Sequence, residues 1–171
     1  MSFNYCPNCG ARLDTPAAPF AQQTCATCGR THYHESKPCA GALIVQDGKV
    51  LLVKRGIEPF KGWWDIPGGF LEAGEHPRDG MLREVHEETG LSVCARELLG
   101  VYMDKYATAD GRTIYTLNHY YIVEPTGGTL RAADDAVELR WFALDALPEQ
   151  VAFEHAGVVL EELQKKVTSG G

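Results

Sequence analysis

The 171-residue sequence has no apolar run approaching the roughly 20 residues that a bilayer span requires. Its first residues, MSFNYCPNCGARLD, lack the basic stretch and apolar core of an export signal. A cytoplasmic protein without membrane contact is expected. There is no internal repeat and no low-complexity tract. Basic residues are in the minority, with 16 Lys and Arg against 23 Asp and Glu for a net charge of −7. Such a balance excludes a general phosphate-backbone surface, so no nucleic-acid partner is expected. What is present is 44% hydrophobic residues, enough to build the core of one medium domain with a small appendage.

Aliphatic residues are scarce across residues 1–38, and this is where four of the six cysteines lie. They form two pairs, Cys6-Pro-Asn-Cys9 and Cys25-Ala-Thr-Cys28, each followed by glycine. In a chain without an export signal this pattern reads as metal binding before disulfides. Four thiolates in two such knuckles suit tetrahedral Zn²⁺ in a closed, structural site, a small zinc ribbon. Its charges, Arg12, Arg30 and Lys37 against Asp14 and Glu35, leave no electrostatic footprint for nucleic acid. Cys39 and Cys94 stand alone and are expected to be buried as small hydrophobes. The domains are expected at 1–38 and 39–171.

From Cys39 the chain reads AGALIV, then Asp47-Gly48, then KVLLVKR, two strand-like runs around a hairpin turn. A glycine-rich loop, Pro67 to Gly74, precedes a helix predicted at about 77–89. Pro77 suits its first position, Gly90 the position past its end, and Leu82 with Val85 its inward stripe. Strand-like runs ELLGVYMDKY and TIYTLNHYYIVEP flank a turn at Thr108–Arg112. A glycine loop at 127–128 then leads to VELRWFAL, and a final amphipathic helix is predicted at about 153–167. The pattern implies an α/β sandwich around a mixed sheet.

Glu84, Glu87 and Glu88 fall at i, i+3 and i+4 on the predicted helix, one carboxylate face in its last two turns. No Lys or Arg shares that spacing with Glu84. The helix dipole also disfavours anions there, by roughly 0.3–1 kcal/mol. A solvated acidic face is the plain alternative. A divalent cation held by the carboxylates, with the glycine loop's backbone nearby, would turn the repulsion into binding, and Mg²⁺ prefers such oxygen ligands.

From Gly69 to Leu91 the chain reads GFLEAGEHPRDGMLREVHEETGL, which resembles the Nudix box. All nine constrained positions match: Gly69, Glu75, Arg83, Glu84, Val85, Glu87, Glu88, Gly90 and Leu91. The resemblance implies a Nudix α/β/α sandwich around a mixed β-sheet, following the zinc ribbon. It implies Mg²⁺ (or Mn²⁺) held by Glu84, Glu87, Glu88 and the carbonyl of Gly69. Glu75 would pair with Arg83 and brace the loop. The general base would be Glu87 or a later acid, Asp135 or Glu138.

The resemblance also implies a nucleotide substrate and a possible homodimer. A zinc ribbon ahead of such a domain resembles two groups. One is the NADH pyrophosphatases, whose Ser-Gln-Pro-Trp-Pro-Phe-Pro type motif has no match between Ser92 and Pro125. The other is the shorter ADP-ribose and FAD pyrophosphatases, matched by GWWDIPGGFLEAGE, RWFALDALP and Val151-Ala152-Phe153. This favours cleavage of ADP-ribose or FAD to AMP and the other phosphorylated half, with NADH pyrophosphatase or a nucleotide-sensing binding module as alternatives. Trp63, Trp64, Tyr102, Tyr106 and Phe153 are the candidates for stacking on the base.

Overall fold

The structure, a computed structural model, describes residues 3–18, 21–108 and 111–169. The chain divides into two compact units, Met1–Ser36 with Ala107–Ile114, and Lys37–Tyr106 with Tyr115–Gly171. Among the described residues, no helix is long and apolar enough to cross a membrane.

In the first unit, β1 (Gln23–Thr24) and β2 (Thr31–His32) pair antiparallel with Gln23 opposite His32. Each cysteine pair is a tight knuckle: Gly10 N–H donates to Cys6 O and Gly29 N–H to Cys25 O. Both glycines have φ near +70°, a conformation costly for other residues at this kind of turn. The apolar core here is small, Cys6, Leu13 and Cys25 with Ala11 against them. So little buried surface calls for another source of stability.

The second unit opens with the hairpin of β3 (Lys37–Gln46) and β4 (Lys49–Arg55). Its turn residues Asp47 and Gly48 both have positive φ, the conformation of a two-residue hairpin turn. β5 (Trp64–Asp65), β6 (Gly68–Phe70), α1 (Pro77–Thr89), β7 (Leu91–Ala107), β8 (Thr113–Gly128), β9 (Ala136–Ala143) and α2 (Glu154–Ser169) follow. The sheet order is β5-β4-β3-β8-β7, with β6 also pairing β3 and β9 also pairing β4. β3 and β8 run parallel, Lys37 opposite Thr116 through Ile44 opposite Val123, while the β3–β4, β3–β6 and β4–β9 pairs are antiparallel.

Alternation along the strands supplies two cores, one on each face. Leu43, Val50, Leu52 and Trp64 pack with Ala156, Val159, Leu160 and Leu163 of α2. Ala40, Ala42, Ile44 and Leu51 pack with Met81 and Val85 of α1. The result is the α/β/α sandwich around a mixed sheet that the sequence implies.

Several sequence expectations change. The inward residues of α1 are Met81, Val85, Glu88 and Thr89, whereas Leu82 is only partly buried. Gly127 and Gly128 lie within the end of β8 instead of forming a loop. Cys39 and Cys94 are half-buried on β3 and β7, short of the full burial expected of them. Ala109 and Asp110 of the expected turn at Thr108–Arg112 lie outside the described residues.

Candidate functional site

Both ends of α1 are fixed by the sequence around them. His76 caps the N-terminus by accepting from Arg78 N–H, Pro77 occupies the first turn, and Gly90 closes the C-terminus at φ 71°. The carbonyls of Glu88, Thr89 and Gly90 then accept from the backbone N–H groups of Ala133, Arg131 and Thr129. The segment after β8 thus runs against the end of the helix and brings Asp134 to where its charge acts on Glu84.

The three glutamates do not share one environment. Glu88 lies on the same stripe as Met81 and Val85, so the helix turns it toward the sheet, where it is 8% exposed. Its Oε2 accepts the Gly68 N–H at 2.9 Å. Burial pushes its carboxyl up to about 8, with the charges of Asp65 and Glu84 adding to the rise against the Gly68 hydrogen bond. Glu84 is also raised, chiefly by burial. Its carboxylate lies so close to Gly69 that a Cβ there would stand 2.6 Å from both carboxylate oxygens. Glu87 is the outermost, its side chain 45% exposed.

Arg83 corrects the picture of an unneutralised face. Its five N–H groups all donate: Nε and Nη2 to Glu75 at 2.9 Å each, Nη1 to Glu84 at 2.8 Å and Glu87 at 3.0 Å, and Nη2 to Phe70 O at 3.1 Å. The bidentate pair holds Glu75 down to about 2. Arg83 stands one residue before Glu84 and four before Glu87, a relation that counting only from Glu84 at helical spacings overlooks. Glu88 lies outside this network and takes its hydrogen bond from the Gly68 backbone.

Two further charged residues, which the sequence reading missed, stand beside this face. Asp65 is buried and pairs with Arg55 at 2.9 Å, and burial raises its carboxyl to about 6 against the pull of Arg55. The charges of both act on Glu88. Their signal in the sequence is position alone: Arg55 ends β4, and Asp65 immediately precedes the Ile66-Pro67 entry to the glycine loop.

The later acids separate. Asp134, at φ 52°, acts through its charge on Glu84. Asp135 contributes its backbone, its carbonyl accepting the Gly56 N–H at 2.7 Å, while its side chain is exposed. Glu138 is held by Arg140 and by Lys54, the latter at 3.3 Å, and these hydrogen bonds, Arg140 foremost, lower its pKa. A carboxylate already bound to two cations is a poor proton acceptor. Glu138→Gln is therefore expected to leave turnover within about threefold of wild type, checked by steady-state kinetics.

The aromatic candidates also divide. Trp64 is a core residue: it packs edge-on against Phe142 at 4.8 Å, with Arg140 and Lys54 over its ring. Tyr102 donates to Glu162 and packs against the α2-side core. Trp63, 38% exposed, instead joins Phe60, Phe153 and Tyr106 in one cluster, with Arg55 over Phe153. Phe60 and Phe153 both sit at φ 64°, an uncommon conformation for a non-glycine residue.

The ligand atoms of Cys6, Cys9, Cys25 and Cys28 all lie within 4.8 Å of one another, and among the described residues this is the grouping of that kind. The carboxylates of Glu84, Glu87 and Glu88 are not drawn together in that way. The thiol separations Cys6–Cys28 and Cys9–Cys25 are 3.7 Å. A tetrahedral site with Zn–S bonds of about 2.3 Å has sulfur–sulfur edges of about 3.8 Å, so the donor set fits zinc. Backbone N–H groups on the sulfurs, Arg30 on Cys28 foremost, favour the thiolate that a metal requires.

A family model described as the NUDIX domain matches residues 35–161. The chain is 38% identical over 137 residues to an ADP-ribose pyrophosphatase of Methanocaldococcus jannaschii, covering 80% of this chain and 78% of that protein. It is also 38% identical over 93 residues to an NAD-capped RNA hydrolase NudC of Vibrio parahaemolyticus, covering 54% of this chain and 35% of that protein. A Nudix hydrolase structure from Nitrosomonas europaea aligns with a TM-score of 0.80 at 27% identity, covering 98% of this chain and 94% of that one. With its family model matched over most of its length, the chain belongs to the Nudix hydrolases, enzymes acting on phosphoanhydride bonds.

Proposed function

We propose that the chain hydrolyses the pyrophosphate of ADP-ribose or FAD to AMP and the other phosphorylated half. The observation that carries the site assignment is the buried Glu88 carboxylate, held at 2.9 Å by the Gly68 N–H, with the Glu84 carboxylate packed against Gly69 of the same loop. Such a pair fits Mg²⁺ or Mn²⁺, which take one or two carboxylates together with waters and substrate phosphates. When bound, the cation supplies positive charge to the nonbridging oxygens and acidifies the attacking water.

The remaining work falls to the chain. Glu84, Glu87, Glu88 and the Gly69 carbonyl would hold the cation. Gly68 N–H orients Glu88, and Arg83, clamped by Glu75, fixes the loop against α1. Water adds to one phosphorus, the anhydride P–O bond breaks, and two phosphate monoesters leave. The proton lost by the water goes to Glu87, the exposed box carboxylate, or to an aspartate of the 134–135 pair. The Trp63, Phe60, Phe153 and Tyr106 cluster would take the base. The four-cysteine cluster would hold structural Zn²⁺.

Substrate preference for ADP-ribose is supported by the relative matched over 80% of the chain. NADH remains the second substrate to try, given the similarity to an NAD-capped RNA hydrolase. A homodimer, implied by the family resemblance, is tested by light scattering. Purified protein with Mg²⁺ is expected to release AMP from ADP-ribose or FAD faster than from NADH or nucleoside triphosphates. A panel in which triphosphates are the best substrates would overturn the assignment.

A further inference from the structure

We propose that His32 is a positioning residue of the four-cysteine site, donating its Nε2–H to the Cys6 sulfur and thereby slowing the loss of zinc. The proposal rests on the reading of that cluster as a zinc site. His32 Nε2 lies 3.2 Å from Cys6 Sγ. It is not a fifth member of the cluster, because the grouping with all ligand atoms within 4.8 Å comprises the four thiols. The imidazole stands behind one ligand and faces its sulfur.

Backbone N–H groups act on several of the thiols, Arg30 on Cys28, Cys28 and Thr27 on Cys25, and Ala11 on Cys9. Cys6 has in addition a side-chain partner from outside the four thiols, His32. Four thiolates around one divalent zinc leave two net negative charges, and each N–H on a sulfur spreads that charge and lowers the sulfur's tendency to take a proton and leave the metal. The donor to Cys6 therefore acts on the step by which a ligand detaches.

The imidazole's position is built. His32 ends β2 opposite Gln23, which is buried and holds Phe3 by two hydrogen bonds, Phe3 N–H to Gln23 Oε1 at 2.8 Å and Gln23 Nε2 to Phe3 O at 3.0 Å. The Phe3 ring lies against His32 at 5.7 Å and stacks on His34 at 5.0 Å. One side of His32 is thus walled by a residue pinned to the neighbouring strand. An imidazole free to turn would have no such support.

The test compares His32→Leu, His32→Asn and His32→Gln with the wild-type protein. A glutamine amide reaches the place of Nε2 and keeps an N–H donor there, while leucine removes it and asparagine falls short. Zinc transfer from the purified full chain to a chromogenic chelator is expected to quicken about tenfold or more in His32→Leu and His32→Asn. His32→Gln is expected to stay within about threefold of wild type. In the cobalt-substituted proteins, the thiolate-to-metal absorption band should move in the leucine variant and return in the glutamine variant.

Equal transfer rates in all four proteins would overturn the proposal, as would a glutamine variant as fast as the leucine one, which would assign the effect to packing. If leucine prevents folding, the asparagine and glutamine variants decide by the same comparison. A wild-type protein that carries no zinc after chelator-free purification, and takes up none when zinc is supplied, would instead remove the zinc reading beneath it.

Discussion

Glu88→Gln is expected to lower kcat by roughly 10²–10³-fold and, without added Mg²⁺ or Mn²⁺, to raise the melting temperature by a few degrees. Glutamine preserves the shape and can still accept the Gly68 N–H, so the contact at 2.9 Å survives. What it removes is a group that burial makes costly to ionise, with the carboxyl raised from 4.5 to about 8. Because the folded value lies above the unfolded one, the stabilisation from the protonated group is complete below about 4.5. It is lost as pH rises through about 8. The wild-type melting temperature should therefore fall more steeply than that of the variant between pH 5.5 and 8.5. A variant that is both active and less stable would show that Glu88 is a structural acid; loss of activity with a gain in stability marks a residue kept for its chemistry.

The parts of this site set by neighbouring residues are legible in the sequence alone. Pro77 and Gly90 delimit α1, and Asp47-Gly48 places the hairpin, because caps and turns are local chemistry. The placement of a helical residue in three dimensions is harder to read. Met81 and Glu88 turn inward where the pattern points to Leu82, since the stripe that is buried depends on how the helix docks on β3. Arg83 reaches three carboxylates at once because the loop returns Glu75 and Phe70 to it.

The same limit explains the later acids. Asp134 and Asp135 differ by one position in sequence, but the first acts on Glu84 while the second supplies a carbonyl to Gly56. That difference follows from hydrogen bonds between residues 129–133 and the end of α1, which no local pattern encodes. Adjacent tryptophans likewise read alike in sequence. Pairing of β5 with β4 sends Trp64 into the core and leaves Trp63 beside Phe60.

Substituting Gly68 and Gly69 separately by alanine is expected to give opposite results at adjacent positions. At Gly68, φ is 152°, and a Cβ would stand 2.3 Å from Ala40 O and 2.5 Å from Gly41 Cα. These are backbone atoms of the strand paired with β6, so the Ala variant can be accommodated only by parting β6 from β3. A loss of about 3 kcal/mol or more is expected, with a fall in melting temperature of roughly 6–12 °C. At Gly69, the atoms within 2.6 Å of a Cβ belong to the Glu84 carboxylate, the end of a flexible side chain. It can swing aside, so Gly69→Ala should stay within about 1 kcal/mol of wild-type stability. The displaced carboxylate then no longer lies against the loop backbone, and turnover should fall by at least about tenfold. Denaturant unfolding and steady-state kinetics on both variants check the pair. If Gly69→Ala is fully active, the Glu84 carboxylate does its work away from this loop, and the cation would have to be held from the side of Glu88 alone.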